Sequence, residues 1–493
     1  MRQALLEHLV LPAAAALTPF KTARYVELME RSERTSLREQ RSEQMALVRE
    51  LLVHAHRETE LTRRKLDGAG IHPVDVSDAD AFLRVPITSK DELREGFPDR
   101  QVARSHRGAW LRYSNTSGTT GKPLMLVQDV TDISWKYASI LRSRRLAGVP
   151  EMAHQVRLTP NECQPCLADG GSPAGSFGAV RRSSDPAALF MLLERQVMNP
   201  LFLRRRMLPP FWPGGGPVTP VDYRRVVRDL TRAAPEVLTI YPLYAMLLAR
   251  FLRRTGVEAP RASMLLDFSA ALCTPRMRAF LTETFGQRTA QGCGGCEFAR
   301  YGASCEHDED HLHLAEQYCY VEAVRADGRQ CASGELGNLV VTSLRSRAMP
   351  IIRLEPGDVG RILESPCACG RLSRRIEHHG RIQALLRNAD GRWVTDRACW
   401  DALLCLPGLA LFQLRQRTER IYDLDLVLDP GATLDRTALD AALAGLLGAS
   451  AQVVERTVEG ITPEASGKLQ LVKSATFEEF RPAAARARRV PTN

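Results

Sequence analysis

Lysine is scarce in this chain. Of 67 basic residues among 493, 60 are arginine and 7 are lysine, and no lysine lies between Lys136 and Lys468. The arginines are scattered and rarely interleaved with aromatic residues, which make up only 6% of the sequence. A basic balance, here a formal +10, is the electrostatic precondition for nucleic-acid binding and no more than that. The pattern points to a solvated basic surface that suits anionic small molecules, with no nucleic-acid partner expected. Long apolar runs are lacking too. The most apolar early stretch, Leu9 to Phe20, is 12 residues long and holds Pro12 and Pro19, whereas a spanning helix needs about 20 apolar residues. Glu7 and His8 interrupt the apolar region that a signal peptide requires. A cytoplasmic protein without a membrane partner is the expectation. Repeats and low-complexity tracts are absent, which excludes fibrous and disordered classes. In a reducing compartment the 12 cysteines would be metal ligands or buried thiols rather than disulfides.

What is present, 493 residues of which 44% are apolar, is ample for two to three compact units. Residues 1–100 read mainly as helix, with a long amphipathic stretch from Ser42 to Leu66. Val85-Pro86-Ile87-Thr88 ends that pattern, and Thr88 or Ser89 is placed to cap a helix from Lys90. Residues 101–382 alternate between short apolar runs and helical stretches. Val237–Ile240, Ser263–Phe268, Leu339–Ser343 and Ile351–Leu354 read as strands; Tyr241–Arg253 and Thr274–Phe285 read as helices. This mixing predicts α/β layers. Pro209 to Pro220, with five prolines and three consecutive glycines, reads as a surface loop. Beyond residue 383 the pattern becomes a small α+β unit. It has helices at Cys399–Cys405 and Leu434–Leu447 and strands at Ala410–Arg415, Ile421–Leu428 and Gln452–Val458. Arg481 to Asn493 reads as a frayed tail. The predicted fold class is therefore α/β: a large layered N-terminal domain (1–100 helical, 101–382 core), a small mobile α+β domain (383–480) and a flexible tail (481–493).

The most informative segment is Tyr113-Ser114-Asn115-Thr116-Ser117-Gly118-Thr119-Thr120-Gly121-Lys122-Pro123. Two glycines permit tight turns in which backbone N–H groups converge on an anion. Five hydroxyls add donors and Lys122 adds a point charge, a set that suits a polyphosphate. It is not a Walker A loop, because Thr116 and Pro123 stand where that motif needs Gly and Ser or Thr. A polar turn between strands is the bland alternative, and the presence of one of so few lysines argues against it.

This segment resembles the signature loop of the adenylate-forming superfamily of acyl-CoA synthetases, luciferases and peptide-synthetase adenylation domains. The resemblance implies that Ser117, Gly118, Thr119, Thr120, Gly121 and Lys122 hold the β and γ phosphates of ATP. Arg353-Leu354-Glu355-Pro356-Gly357-Asp358 resembles the family's R-x-x-T-G-D element, with Pro356 in place of Thr. It implies that Asp358 binds the ribose hydroxyls, a role suited to a bidentate acceptor. His379-Gly380-Arg381 resembles the element before the interdomain hinge and assigns Arg381 to the nucleotide region; Gln383 stands where the family usually has an acidic hinge residue. Ser466-Gly467-Lys468 resembles the mobile-domain element whose lysine stabilises adenylation. Cys293-Gly294-Gly295-Cys296-Glu297 aligns with Y-G-x-T-E, which implies that Glu297 holds Mg²⁺. Cys293 there replaces the aromatic expected on adenine, Cys296 replaces Thr, and Ser269-Ala270-Ala271 replaces a further adenine-contact segment. The matches run from about Leu51 to Lys473. The helical N-terminus ending in Val85–Lys90 and the segment Cys367-Ala368-Cys369-Gly370-Arg371 point to the phenylacetate–coenzyme A ligase branch.

Members of that branch with such cysteines bind a metal, which makes Cys305, His313, Cys367 and Cys369 a candidate structural zinc shell of three thiolates and an imidazole. The pairs Cys163/Cys166 and Cys293/Cys296, with His307 and His311, are rival ligands, and a metal-free cluster of thiols is the bland reading. The resemblance implies ATP- and Mg²⁺-dependent activation of a carboxylic acid, aromatic by branch, with Lys468 and Glu297 as catalytic residues and coenzyme A as acceptor. Tyr241-Pro242-Leu243-Tyr244 is a candidate pocket wall or simply a helix start. Alternatives are an amine, hydroxyl or carrier-protein thiol as acceptor, or a non-catalytic zinc-stapled relative. A homodimer is compatible with all of them.

Overall fold

Local capping chemistry sets many of the helix starts. Ser36, Ser89, Asp129 and Thr219 each accept from the backbone N–H three residues on, and Glu39, Glu92, Asp132 and Asp222 at those positions reach back. These reciprocal caps satisfy donors that a helix start leaves unpaired. Pro220, Pro242 and Pro275 occupy first turns, where the missing N–H costs nothing.

The computed structural model describes residues 20–107, 111–115, 124–160, 205–209, 211, 218–464 and 467–482. In chain order these form α1 (Thr22–Ser32), α2 (Leu37–Glu58), α3 (Glu60–Gly68), α4 (Ala79–Leu83), α5 (Lys90–Glu95), β1 (Arg112–Asn115), β2 (Met125–Gln128), α6 (Val130–Leu146), β3 (Gln155–Leu158) and β4 (Arg205–Met207). Then come α7 (Pro220–Ala233), β5 (Val237–Ile240), α8 (Pro242–Thr255), β6 (Leu265–Phe268), α9 (Pro275–Phe285), β7 (Thr289–Gly295), β8 (Ala299–Cys305), β9 (Asp308–Leu314), β10 (Cys319–Val324), β11 (Leu336–Ser343), β12 (Asp358–Leu363) and β13 (Arg375–Arg381). The last part holds β14 (Leu386–Arg387), β15 (Trp393–Val394), α10 (Asp396–Leu403), β16 (Leu409–Gln416), β17 (Ile421–Leu428), α11 (Arg436–Leu447), β18 (Gln452–Thr457) and β19 (Val472–Lys473).

The main sheet has 11 strands in the order β10-β11-β12-β13-β9-β8-β7-β6-β5-β3-β4. Strands β4, β3, β5, β6 and the first half of β7 pair in parallel. From the second half of β7 to β10 every pairing is antiparallel. Strands β5 and β6 are buried along their whole length, as parallel strands covered on both faces must be. A separate sheet, β18-β17-β16-β19, packs Phe412, Leu414, Tyr422 and Leu424 against Leu439, Leu443 and Leu447 of α11. The same apolar cluster continues into α8 and α9 through Leu243, Leu247, Leu281 and Phe285. Among the described residues no helix is long and apolar enough to cross a membrane.

Three expectations are corrected. The single helix expected over Ser42–Leu66 breaks at Thr59, whose backbone is extended (φ −122°, ψ 136°) and whose hydroxyl donates to the Ala55 carbonyl at 2.8 Å. Ile351–Leu354 is not a strand, because Arg353 adopts a left-handed φ of +47° and only Leu354 bridges to neighbours. Arg481, expected at the start of a frayed tail, is only 8% exposed.

Candidate active site

Asp358 and Arg381 are direct cross-strand partners at the ends of β12 and β13. The turn before Asp358 uses Gly357 at φ +87°, a conformation that glycine adopts without steric cost, and a Cβ there would sit 3.0 Å from Arg381 Nη2. Arg381 Nη1 donates to the Asp358 carboxylate at 2.7 Å, and His378 Nε2 lies 3.7 Å away. Burial opposes the charged form of Asp358. Arg381, His378 and Lys90 outweigh it and hold this carboxyl well below the usual carboxylate range. Burial likewise pushes the Arg381 guanidinium down, and Asp358, Glu297 and Tyr301 together raise it above its ordinary value.

Glu297 follows the bulge in β7, where the main sheet turns from parallel to antiparallel. It is buried, with Lys90 Nζ 3.1 Å from its Oε1. A Cβ on Gly295 would come within 2.6 Å of the other carboxylate oxygen, so glycine is what lets the carboxylate fold back there. Burial pushes Glu297 up, but Lys90, a backbone hydrogen bond and Arg381 together outweigh it and lower the carboxyl below its ordinary value.

Lys90 was not among the candidates read from sequence. It reaches the site because two segments far apart in sequence are sewn together. Thr88 N–H donates to the Arg353 carbonyl at 2.8 Å, Glu355 N–H to the Thr88 carbonyl at 3.0 Å, and the Thr88 hydroxyl to the Ile352 carbonyl at 2.8 Å. The Arg353 guanidinium donates to Glu322 and to the Leu83 and Val85 carbonyls, which holds its backbone in the left-handed region. Lysine scarcity was the signal that could have found Lys90, since it is one of only 7.

Lys468 sits half-buried in a tight turn, where Glu464 N–H donates to the Lys468 carbonyl and Gly467 N–H to the Glu464 carbonyl, both at 2.8 Å. The next residue, Leu469, donates its N–H to the Tyr241 hydroxyl at 3.3 Å. Tyr241 directly follows β5, so the Lys468 turn docks at the carboxyl ends of the parallel strands, the edge where such sheets commonly bind ligands.

Cys305 ends β8, His313 lies in β9, and Cys367 and Cys369 lie between β12 and β13. Their four ligand atoms fall within 4.8 Å of one another. Cys305 Sγ is 3.7 Å from Cys367 Sγ, and Cys369 Sγ is 3.3 Å from His313 Nε2. A tetrahedral zinc with Zn–S bonds of about 2.3 Å has S···S edges of about 3.8 Å, so the donor set fits. His313 Nδ1 meets Ser373 Oγ at 3.0 Å, which leaves Nε2 facing the thiols. Burial pushes the His313 imidazole down to about 3 and the Cys305 thiol up to about 12. Among the described residues no other group of three such ligands converges, and His311 is taken up by Asp308 at 2.9 Å.

No family model matches the chain. The phenylacetate–coenzyme A ligase of Thermus thermophilus is 26% identical over 363 residues, 71% of each chain. That of Escherichia coli is 25% identical over 344 residues, 69% of this chain and 71% of its own. A crystal structure of 2-hydroxyisobutyryl-CoA ligase, in the postadenylation state with an acyl-AMP, superposes with a TM-score of 0.68 at 19% identity, covering 90% of this chain and 91% of that one. The chain is thus similar to the phenylacetate–coenzyme A ligases of the adenylate-forming superfamily over about seven-tenths of its length.

Against that superfamily's pattern, Cys293 does not offer a face for a base. Its thiol is buried in the apolar cluster with Phe298 and Tyr301. Ser117, Gly118, Thr119, Thr120, Gly121 and Lys122 lie outside the described residues, as do Cys163 and Cys166. The strands on either side of this segment pair with each other, Asn115 of β1 being the register partner of Met125 in β2.

Proposed function

We propose that the protein activates a carboxylic acid with ATP as an acyl-adenylate and passes the acyl group to the thiol of coenzyme A, and that the acid is aromatic. The observation that carries this reading is the convergence of Asp358, Arg381, Lys90 and Glu297, from four separate segments, in one line of charge contacts. The class of acid follows the phenylacetate ligases to which the chain is similar.

In this reading Asp358, kept ionised by Arg381, accepts from both ribose hydroxyls. Residues 117–122 cradle the phosphates. Glu297 would hold Mg²⁺, a hard ion that prefers carboxylate oxygen and would supply neutralising charge for the phosphates. The substrate carboxylate oxygen bonds to the α-phosphorus, the bond to the β-phosphate oxygen breaks, and pyrophosphate leaves. Lys468 supplies positive charge where negative charge moves. The thiol then attacks the acyl carbonyl, loses its proton, and AMP departs. Cys305, His313, Cys367 and Cys369 hold a structural zinc away from this chemistry.

Pyrophosphate release from MgATP, measured with aryl and alkyl carboxylic acids and no coenzyme A, tests the reading. Release with aryl acids, followed by thioester formation only when coenzyme A is added, is the expected result. Adenylate formation without thioester would transfer the proposal to another acceptor, a direction in which Gln383 at the hinge already points. No release from any acid by folded protein would overturn it.

Lys90 adds a pH signature. The folded-state carboxyl of Glu297 lies below its ordinary value because Lys90, a backbone hydrogen bond and Arg381 together outweigh burial. The ionised form is therefore favoured, and is lost only as pH falls through that lowered value. In Lys90→Met the backbone hydrogen bond and Arg381 remain to oppose burial but the nearest cation is gone, so the carboxyl titrates higher. The acid limb of pyrophosphate release against pH should move upward. An unmoved limb would show that Lys90 does not set the charge of Glu297.

A further inference from the structure

The polypeptide crosses between the large sheet and the small one twice. The first crossing is the hinge after Arg381. The second is the segment after β19, which turns back onto the large sheet. Ser474 N–H donates to the Gln383 carbonyl at 2.9 Å, and Arg387 N–H to the Thr476 hydroxyl at 3.0 Å. Phe477 and Phe480 pack with Val359, Ile382 and Leu385, and the Phe480 ring meets Trp393 edge-on at 5.2 Å. Asn338 Nδ2 of β11 donates to the Phe480 carbonyl at 2.6 Å. Arg481 then closes a two-pronged pair with Glu355, its Nε donating to Oε1 at 3.0 Å and its Nη2 to Oε2. Both residues are less than 10% exposed. Glu478 flanks the guanidinium at 3.3 Å.

The position of this clasp gives it meaning. Glu355 is three residues before Asp358, and its backbone is sewn to Thr88, two residues before Lys90. Val359 and Ile382 are neighbours of Asp358 and Arg381 in sequence. The clasp therefore grips the segments that carry the charge array, while its other end is continuous with β19. β19 pairs with β16 in the sheet that carries the Lys468 turn. A buried, bidentate Arg–carboxylate pair is strongly destabilised when one partner is removed. Breaking this one loosens the second crossing, while the apolar contacts with α8 and α9 and the Arg250–Asp429 pair remain.

We propose that residues 474–482 form a latch across the hinge, with Arg481 as the positioning residue that holds the small sheet in the orientation that presents Lys468. The catalytic part of this proposal rests on the adenylation reading above. The latch favours acid activation over acyl transfer, since in that reading Lys468 serves the first step and not the second.

The test uses the full chain with Arg481→Gln, Glu355→Gln and the charge swap Glu355→Arg/Arg481→Glu. Hydrogen exchange at Ser474 and Arg387 reads the latch without reference to activity. Faster exchange there in both single variants, restored by the swap, is expected; unchanged protection in Arg481→Gln overturns the latch whether or not the protein adenylates any acid. Acid-dependent ATP–pyrophosphate exchange and single-turnover consumption of supplied acyl-adenylate by coenzyme A read the two half-reactions. Arg481→Gln should slow the first about tenfold or more and leave the second unchanged or faster. A parallel loss of both, with a lowered Tm, would assign Arg481 a merely structural role and overturn its function as a latch. If the native chain adenylates nothing, the adenylation reading falls by that result, and hydrogen exchange decides the latch alone.

Discussion

Lys468→Ala is expected to slow acid-dependent pyrophosphate release by about two to three orders of magnitude, the usual cost of removing one preorganised donor from a developing charge. The lysine has no substitute nearby in the chain: the next lysine is Lys473, in β19 and five residues on, and Lys136 is the nearest preceding one. Its turn is pinned by two backbone hydrogen bonds of its own and by the Tyr241 hydroxyl, so the ammonium is presented from a held loop. Lys468→Arg should rescue poorly, because a planar guanidinium does not replace a compact ammonium between carboxylate and phosphate. Tm should change little, since Lys468 is half-buried and the turn is held by backbone groups. Coenzyme A-dependent consumption of supplied adenylate should be nearly unaffected. Equal losses in both half-reactions would sink the assignment of Lys468 to adenylation.

Removal of zinc should have the second large effect, on stability rather than chemistry. A ligand present at a thousand times its dissociation constant stabilises the native state by about 4 kcal/mol. In a chain of 493 residues that corresponds to a Tm loss of about 4 °C. The loss should concentrate near the N-terminal helices. Leu372 N–H donates to the Glu33 carbonyl at 2.7 Å and Arg371 Nε to the Glu33 carboxylate at 2.9 Å, so the cysteine loop is tied to the turn between α1 and α2. Arg142 also pairs with Glu33, and donates to the His313 and Leu314 carbonyls. Cys369→Ser should reproduce the effect of a chelator, and Cys331→Ser, outside the cluster, should not. Ser373→Ala should weaken metal affinity about 10- to 100-fold by freeing the His313 ring. The measurements are metal content per chain and thermal unfolding with and without chelator. Protein that purifies without metal and unfolds at the same temperature after chelation would remove zinc from the account.

The candidate site was legible to different depths. Asp358, Arg381, Glu297 and Lys468 each stand in a short motif that resembles one of the family's, and the first two prove to be partners across a strand pair. Cys305, His313, Cys367 and Cys369 were legible as one set because a C-x-C pair and a nearby Cys and His are an economical thiolate and imidazole shell. Lys90 and Arg481 were not. Neither belongs to a chemical motif, and each acquires a role only through a segment more than 100 residues away.

The sequence by itself determined the alternation of elements, the helix starts and the chemical kind of each site residue, because capping, periodicity and ligand type are local properties. Val237–Ile240 and Ile421–Leu428 match the expected strands to the residue. Tertiary structure decided the rest. It broke the helix at Thr59, kept Ile351–Leu354 out of a strand by turning Arg353 toward Glu322, and folded Arg481 onto Glu355. Those outcomes depend on which buried charge finds which partner. A charge taken out of water must be paired wherever the fold brings an opposite one, and sequence distance has no say in that.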